Sequence, residues 1–146
     1  MPRFLHDVRR HGLGLAVALI SSLTLAQEKP AVSSPPLTAE IGPDGVQRAS
    51  ITVDSYSFTP NRLIVQAGKP VELTLTSVTT LTPHNFVIKE PAAGLSVLQE
   101  VGPRATAKVT FTPTQPGNYA YYCDKKLPFL PSHREHGMEG RLEVRP

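Results

Sequence analysis

The segment "PVELTLTSV", Pro70 to Val78, sets Val71, Leu73 and Leu75 in alternation with Glu72, Thr74 and Thr76. A period of two sends successive side chains to opposite faces of an extended chain, so the segment is expected to be a strand with one buried face and one wet face. Working outward, strand composition recurs in "ITVDSYSF" (51–58), "RLIVQ" (62–66), "HNFVIK" (84–89), "LSVLQEV" (95–101), "TAKVTFT" (106–112), "NYAYYC" (118–123) and "GRLEVR" (140–145). Between them lie turn-forming clusters such as "TPN", "AGKP", "EPAAG", "GPR" and "TPTQPG". Seven to eight short strands, with no stretch that sustains a helical period, predict an all-β fold, an antiparallel sandwich of about 100 residues.

The flanks have a different character. Arg3, Arg9 and Arg10 precede an uncharged apolar run from Gly12 to Leu25 that ends in small residues. Residues 1–26 therefore have the layout of a secretory signal peptide, the alternative being an uncleaved anchor, and the Arg9–Arg10 pair leaves Sec and twin-arginine export both open. Residues 27–49, with Pro30, Pro35, Pro36 and Pro43, carry no hydrophobic period and read as a Pro-rich linker or an N-terminal arm. The domain is expected at 50–146, exported to a periplasmic or extracellular space, with no membrane span in the mature chain. The formal charge of +3 falls to +1 when the three arginines and one aspartate of the signal are removed, and the remaining basic residues are scattered. A nucleic-acid surface is thereby excluded, and a monomer is expected.

Chemistry gathers at the other end. Beyond residue 26 the soft and borderline ligands are His84, Cys123, His133, His136 and Met138. A lone cysteine in an exported chain cannot close an internal disulfide, which leaves it buried and inert, paired with another chain, or ligating. His84 opens one candidate strand, Cys123 closes another, and His133 to Met138 follow in one loop, so the end of a sandwich can gather them. Two imidazoles, a thiolate and a thioether suit copper in electron transfer, because the sulfur ligands favour Cu(I) while the imidazoles accommodate Cu(II).

Residues 50–146 resemble the cupredoxins, the plastocyanin- and azurin-like blue copper proteins, through "PHNF" (83–86), "GNYAYYC" (117–123) and "HREHGMEG" (133–140) followed by "RLEV". The resemblance implies a Greek-key β-sandwich or barrel and a single Cu(I)/Cu(II) ion held by His84, Cys123 and His133, with Met138 axial. It also implies that Asn85 secures the cysteine loop and that Tyr122 lies on an electron route. Nine residues, "DKKLPFLPS", separate Cys123 from His133, a longer interval than the family's habit. Four residues separate His133 from Met138 and only Gly137 separates His136 from it, which favours His133 as the ligand.

Electron transfer by a non-enzymatic carrier is the expected function, with copper carriage, storage or delivery as the alternative. A redox or copper-handling protein is the expected partner. A thiol hydrolase would need an activating base and an oxyanion site beside Cys123, and no motif supplies them. The apolar residues of the long interval, Leu127, Phe129 and Leu130, are expected either to fold back over the site or to form a docking patch rimmed by Lys125 and Lys126.

Overall fold

The computed structural model describes residues 34–146; the expected signal, 1–26, lies outside them. The strands are β1 (Leu37–Thr38), β2 (Glu40–Ile41), β3 (Gln47–Asp54), β4 (Ser57–Thr59), β5 (Arg62–Gln66), β6 (Val71–Ser77), β7 (His84–Glu90), β8 (Leu95–Val101), β9 (Thr106–Phe111), β10 (Gly117–Tyr122) and β11 (Glu139–Arg145), with one 3₁₀ turn at Pro91–Ala93. They form two sheets. One has the order β1-β5-β11-β10-β7-β8, and the other has the order β2-β3-β6-β9 with β4 also paired to β3. A Greek-key sandwich accommodates this order.

The alternation that opened the sequence reading holds in β6, where Val71, Leu73 and Leu75 are fully buried. They join Ile51, Val53, Leu63, Val65, Phe86, Ile88, Leu95, Leu142 and Val144 in one core between the sheets. Within it Phe58, Phe86 and Tyr121 make a three-ring cluster, with centroids 5.0 to 5.9 Å apart. Tyr121 satisfies its hydroxyl by donating to the Pro60 carbonyl at 3.0 Å. Gln47, a fully buried amide side chain, ties the sheets together: it donates to the Gln66 carbonyl and accepts from the Gln66 amide at 2.6 Å.

Two expectations need correction. The sheets are mixed, not purely antiparallel: β3 pairs β6 in parallel, and β5 pairs β11 and β1 in parallel. After β3 the chain crosses into the other sheet as β5 and returns as β6, and such a return brings two strands of one sheet into the same direction. "ITVDSYSF" is also not one strand. Asp54 pairs with Ser57, so the chain reverses at Ser55–Tyr56, where the Asp54 carboxylate accepts the Ser55 amide. The expected arm supplies β1 and β2, which pair with β5 and β3. No helix among the described residues is long and apolar enough to cross a membrane.

Three neighbouring antiparallel strands, β11-β10-β7, position the chemistry. The last residue of β10, Tyr122, pairs with Glu139 at the start of β11 and with Val87 in the middle of β7. β11 therefore begins where β10 ends, while the first residues of β7 run on past that end, alongside the segment that follows Tyr122. The register also explains Gly140, which faces Tyr121 across the ladder; a Cβ there would overlap the buried ring. Gly140→Ala is expected to destabilise the fold by about 1–3 kcal/mol, the usual cost of overpacking, measured by denaturant unfolding.

Candidate metal centre

His84 is the first residue of β7, and Cys123 is the first residue after β10. Cys123 donates its backbone N–H to the Met138 carbonyl at 3.1 Å, continuing the β10–β11 ladder one residue past the strand. Between these points the chain makes a long excursion that returns at His133. The His133 amide donates to the Lys125 carbonyl at 2.8 Å, closing the neck of the loop, and the Met138 amide donates to the His133 carbonyl at 2.9 Å.

A local motif shapes the return. The Ser132 amide and hydroxyl both donate to the Glu135 carboxylate, at 2.6 and 2.7 Å, while the Glu135 amide donates to the Ser132 hydroxyl at 3.2 Å. This reciprocal capping of Ser-x-x-Glu heads a single turn over 133–137, as it heads longer helices. The hydrogen bonds hold the Glu135 carboxyl below its ordinary value. Gly137 ends the turn at φ 93°, a left-handed conformation that favours glycine, and Met138 enters the next strand. The motif was legible at 132–135 and the sequence reading passed over it.

The result is a compact cluster. His84, Cys123 and His133 each present a ligand atom, all within 4.8 Å of one another, and all three residues are buried. His133 Nδ1 lies 3.2 Å from His84 Nδ1 and 3.4 Å from the Cys123 sulfur. Met138 is completely buried and is tied through its backbone to both Cys123 and His133. His136 lies outside the cluster and is exposed. Donor atoms that converge on one another with few protons to share suit a cation. His84 Nε2 is buried with no hydrogen-bond partner among the described residues. That nitrogen can keep the proton while Nδ1 turns its lone pair toward the cluster.

Asn85 secures the sulfur, as the resemblance implied. Its amide N–H points at Cys123 Sγ at 3.4 Å, and its side chain makes a reciprocal pair with Asp124: Nδ2 donates to the carboxylate at 2.7 Å, and Oδ1 accepts the Asp124 amide at 3.0 Å. Lys89 and Lys125 brace the outside through ion pairs with Asp124 and Glu100. Tyr122 lies under the Arg134 guanidinium, 3.9 Å from the ring centroid, and Arg134 in turn is held by Glu139.

The long loop does not fold back over the cluster. Leu127 and Leu130 are largely exposed, and Phe129 is wholly exposed with a left-handed backbone. The contact to His133 from outside comes instead from Tyr56, whose ring stands edge-on at 5.1 Å. Tyr56 drew no attention in the sequence because it fell inside an apparently continuous strand.

Burial sets the proton affinities. Desolvation lowers both imidazoles below their ordinary 6.5; the nearby charge of His133 adds to the effect at His84, as that of His136 does at His133. Desolvation raises the Cys123 thiol above its ordinary 9.0, against the pull of the Asn85 amide. Both nitrogen lone pairs are therefore free near neutral pH, whereas the thiol must lose a proton to ligate.

The linkage has definite signs. Below pH 6.5 the unfolded chain takes up imidazole protons that the folded chain resists, so stability falls with falling pH. Above pH 9.0 the unfolded chain releases a thiol proton that the folded chain retains, so stability falls with rising pH. The depressed carboxylates Glu135, Glu143 and Asp44 begin to contribute only below 4.5. The metal-free protein is thus expected to lose melting temperature between pH 6.5 and 4.5, before the carboxylates titrate, and again above 9.0. Thermal melts across that range check it, and a flat profile between 6.5 and 4.5 would show that the imidazoles are not desolvated.

Comparison with known proteins places this geometry. The metal-binding domain of the Cu(I)-exporting P-type ATPase CopA of Streptococcus pneumoniae, solved with Cu(I), superposes with a TM-score of 0.58 at 19% identity, covering 77% of this chain and 97% of that one. Dithionite-reduced auracyanin of Roseiflexus castenholzii gives 0.55 at 21% identity, covering 68% of this chain and 97% of that one. A multicopper oxidase gives 0.57 at 18% identity, covering 74% of this chain and 46% of that one. At such identities these likenesses establish the fold. A family model described as a cupredoxin-like domain matches residues 15–135, and with that match over most of its length the chain belongs to the cupredoxin-like family.

Proposed function

We propose that this protein binds one copper ion through His84 Nδ1, Cys123 Sγ and His133 Nδ1, with the Met138 thioether as a weak axial ligand, and that it carries single electrons. The observation that carries the reading is the convergence of two imidazole nitrogens and the chain's only thiol in one buried cluster. That donor set suits copper in both oxidation states. Copper, when bound, supplies the one-electron couple. The chain's own contribution is rigidity: ladder and loop hydrogen bonds fix Cys123, His133 and Met138 relative to one another, and the Asn85 backbone N–H donates to the sulfur. A site that changes shape little on gaining or losing an electron exchanges electrons readily.

Copper carriage or delivery is the second reading, and the likeness to the metal-binding domain of a Cu(I) exporter favours it. The enclosure of the cluster supports the electron carrier, because buried ligands release metal slowly. A role without catalysis fits the one small ligand cluster found among the described residues; the oxidase that shares the fold is covered over less than half of its own length. The apolar run before Leu25 supports export. The exposed Leu127, Phe129 and Leu130, beside Lys125 and Lys126, form the face on which we place a redox protein partner with an apolar, acid-rimmed surface.

Titration with Cu(II) is expected to reach one ion per chain and to give an intense thiolate-to-copper absorption that Cys123→Ser abolishes. A weak spectrum of nitrogen and oxygen ligation alone would refute the assignment. Met138→Leu should retain copper with a changed reduction potential, as expected when a long axial bond tunes the metal more than it anchors it. Reversible voltammetry with slow loss of metal to a chelator would favour the electron carrier. Ready transfer of metal would favour the copper carrier.

A further inference from the structure

Tyr56 occupies a costly position. Register between Asp54 and Ser57 makes Ser55 and Tyr56 the two residues of the β3–β4 turn, and Tyr56 has φ 57°. That left-handed conformation belongs to glycine, with asparagine and aspartate as the usual exceptions, and a bulky aromatic residue there is a genuine outlier. Such outliers persist where the surroundings hold them, and they gather at functional sites.

The surroundings are the metal cluster's outer wall. The Tyr56 ring meets His133 edge-on at 5.1 Å and packs against the His136 ring at 4.5 Å with a tilt of 33°. His133 remains only 9% exposed beneath it, and Cys123, 3.4 Å behind His133 Nδ1, is not exposed at all. Tyr56 itself is 44% exposed, so part of its ring is in water while the rest packs against the His133 and His136 imidazoles. The inserted loop, with Leu127, Phe129 and Leu130 turned to solvent, does not provide this cover.

We propose that Tyr56, backed by His136, is a cover held over the open side of the His84–Cys123–His133 cluster, slowing the passage of solutes to Cys123 and of metal into and out of the site. Tyr56 acts through the residues it shields and is not itself a ligand. The part concerning metal rests on the copper reading above; the part concerning access to the thiol does not.

Cys123 is the only cysteine, so alkylation of the metal-free full chain by iodoacetamide reports a single thiol. Tyr56→Asn keeps a residue that tolerates the left-handed turn and removes the ring. It should raise the alkylation rate about tenfold, the effect of lowering the opening barrier by about 1.4 kcal/mol, and Tyr56→Phe should restore the wild-type rate. The gain should be insensitive to low urea, as expected for a local opening that exposes little surface. An unchanged rate would overturn the cover. So would a gain that climbs with urea in step with global unfolding, which would make the ring a packing element only.

In the copper-loaded proteins, Tyr56→Asn should lose metal to a chelator about tenfold faster than wild type. Equal rates of loss would overturn the metal part. A wild-type protein that takes up no copper would refute the copper reading, and with it the metal part, while the alkylation result still decides the cover.

Discussion

The hydrogen bond from the Cys123 amide to the Met138 carbonyl is the constraint on which the site depends. It adds one rung to the β10–β11 ladder beyond the last formal pair, Tyr122 with Glu139, and so fixes where the long loop leaves and where it returns. With those two points fixed, His133 is positioned by two further backbone bonds, to Lys125 and from Met138. Nine intervening residues then matter little to the cluster, because loop length costs only a slowly growing closure entropy once the neck is closed. The excursion is free to vary, and its apolar side chains are free to face outward.

Antiparallel neighbours do the rest. The first residues of β7 run on past the end of β10, which brings His84 alongside Cys123, and the Asn85–Asp124 pair clasps the start of β7 to the segment after β10. The core beneath is apolar and aromatic, so the site stands on a surface that does not rearrange easily. Rigidity below and hydrogen bonds around it hold the donor atoms in place before any ion arrives, at the cost of desolvating two imidazoles and a thiol. His84 Nε2, buried without a partner among the described residues, is the clearest sign of that cost.

Departures from backbone ideality are unevenly placed. The described non-glycine residues with positive φ are Tyr56, Arg104 and Phe129, and all three lie in turns or loops. Tyr56 touches the cluster from the β3–β4 turn, while Phe129 stands at the tip of the inserted loop with its ring in solvent. One aromatic ring is turned inward over the site and the other outward from the loop beside it. A design concerned with stability alone would place glycine or asparagine at both positions.

By itself the sequence determined most of the core strands and the short roster of candidate ligands. Alternation such as Val71-Glu72-Leu73-Thr74-Leu75 is a local signal, and a chain with one cysteine and three histidines past residue 26 leaves few ways to assemble a soft metal site. The interval to Met138, four residues from His133 and one from His136, is likewise a local feature of the chain and favours His133 as the candidate ligand. Tertiary structure decided what depends on residues far apart in the chain: the parallel pairing of β3 with β6, the outward turn of Leu127, Phe129 and Leu130, and the contact of Tyr56 with His133. The reversal at Ser55–Tyr56 shows why. "ITVDSYSF" satisfies strand propensity throughout, and only pairing of Asp54 with Ser57 in the sheet, together with the wall offered by His133 and His136, holds Tyr56 in a conformation its own preferences disfavour.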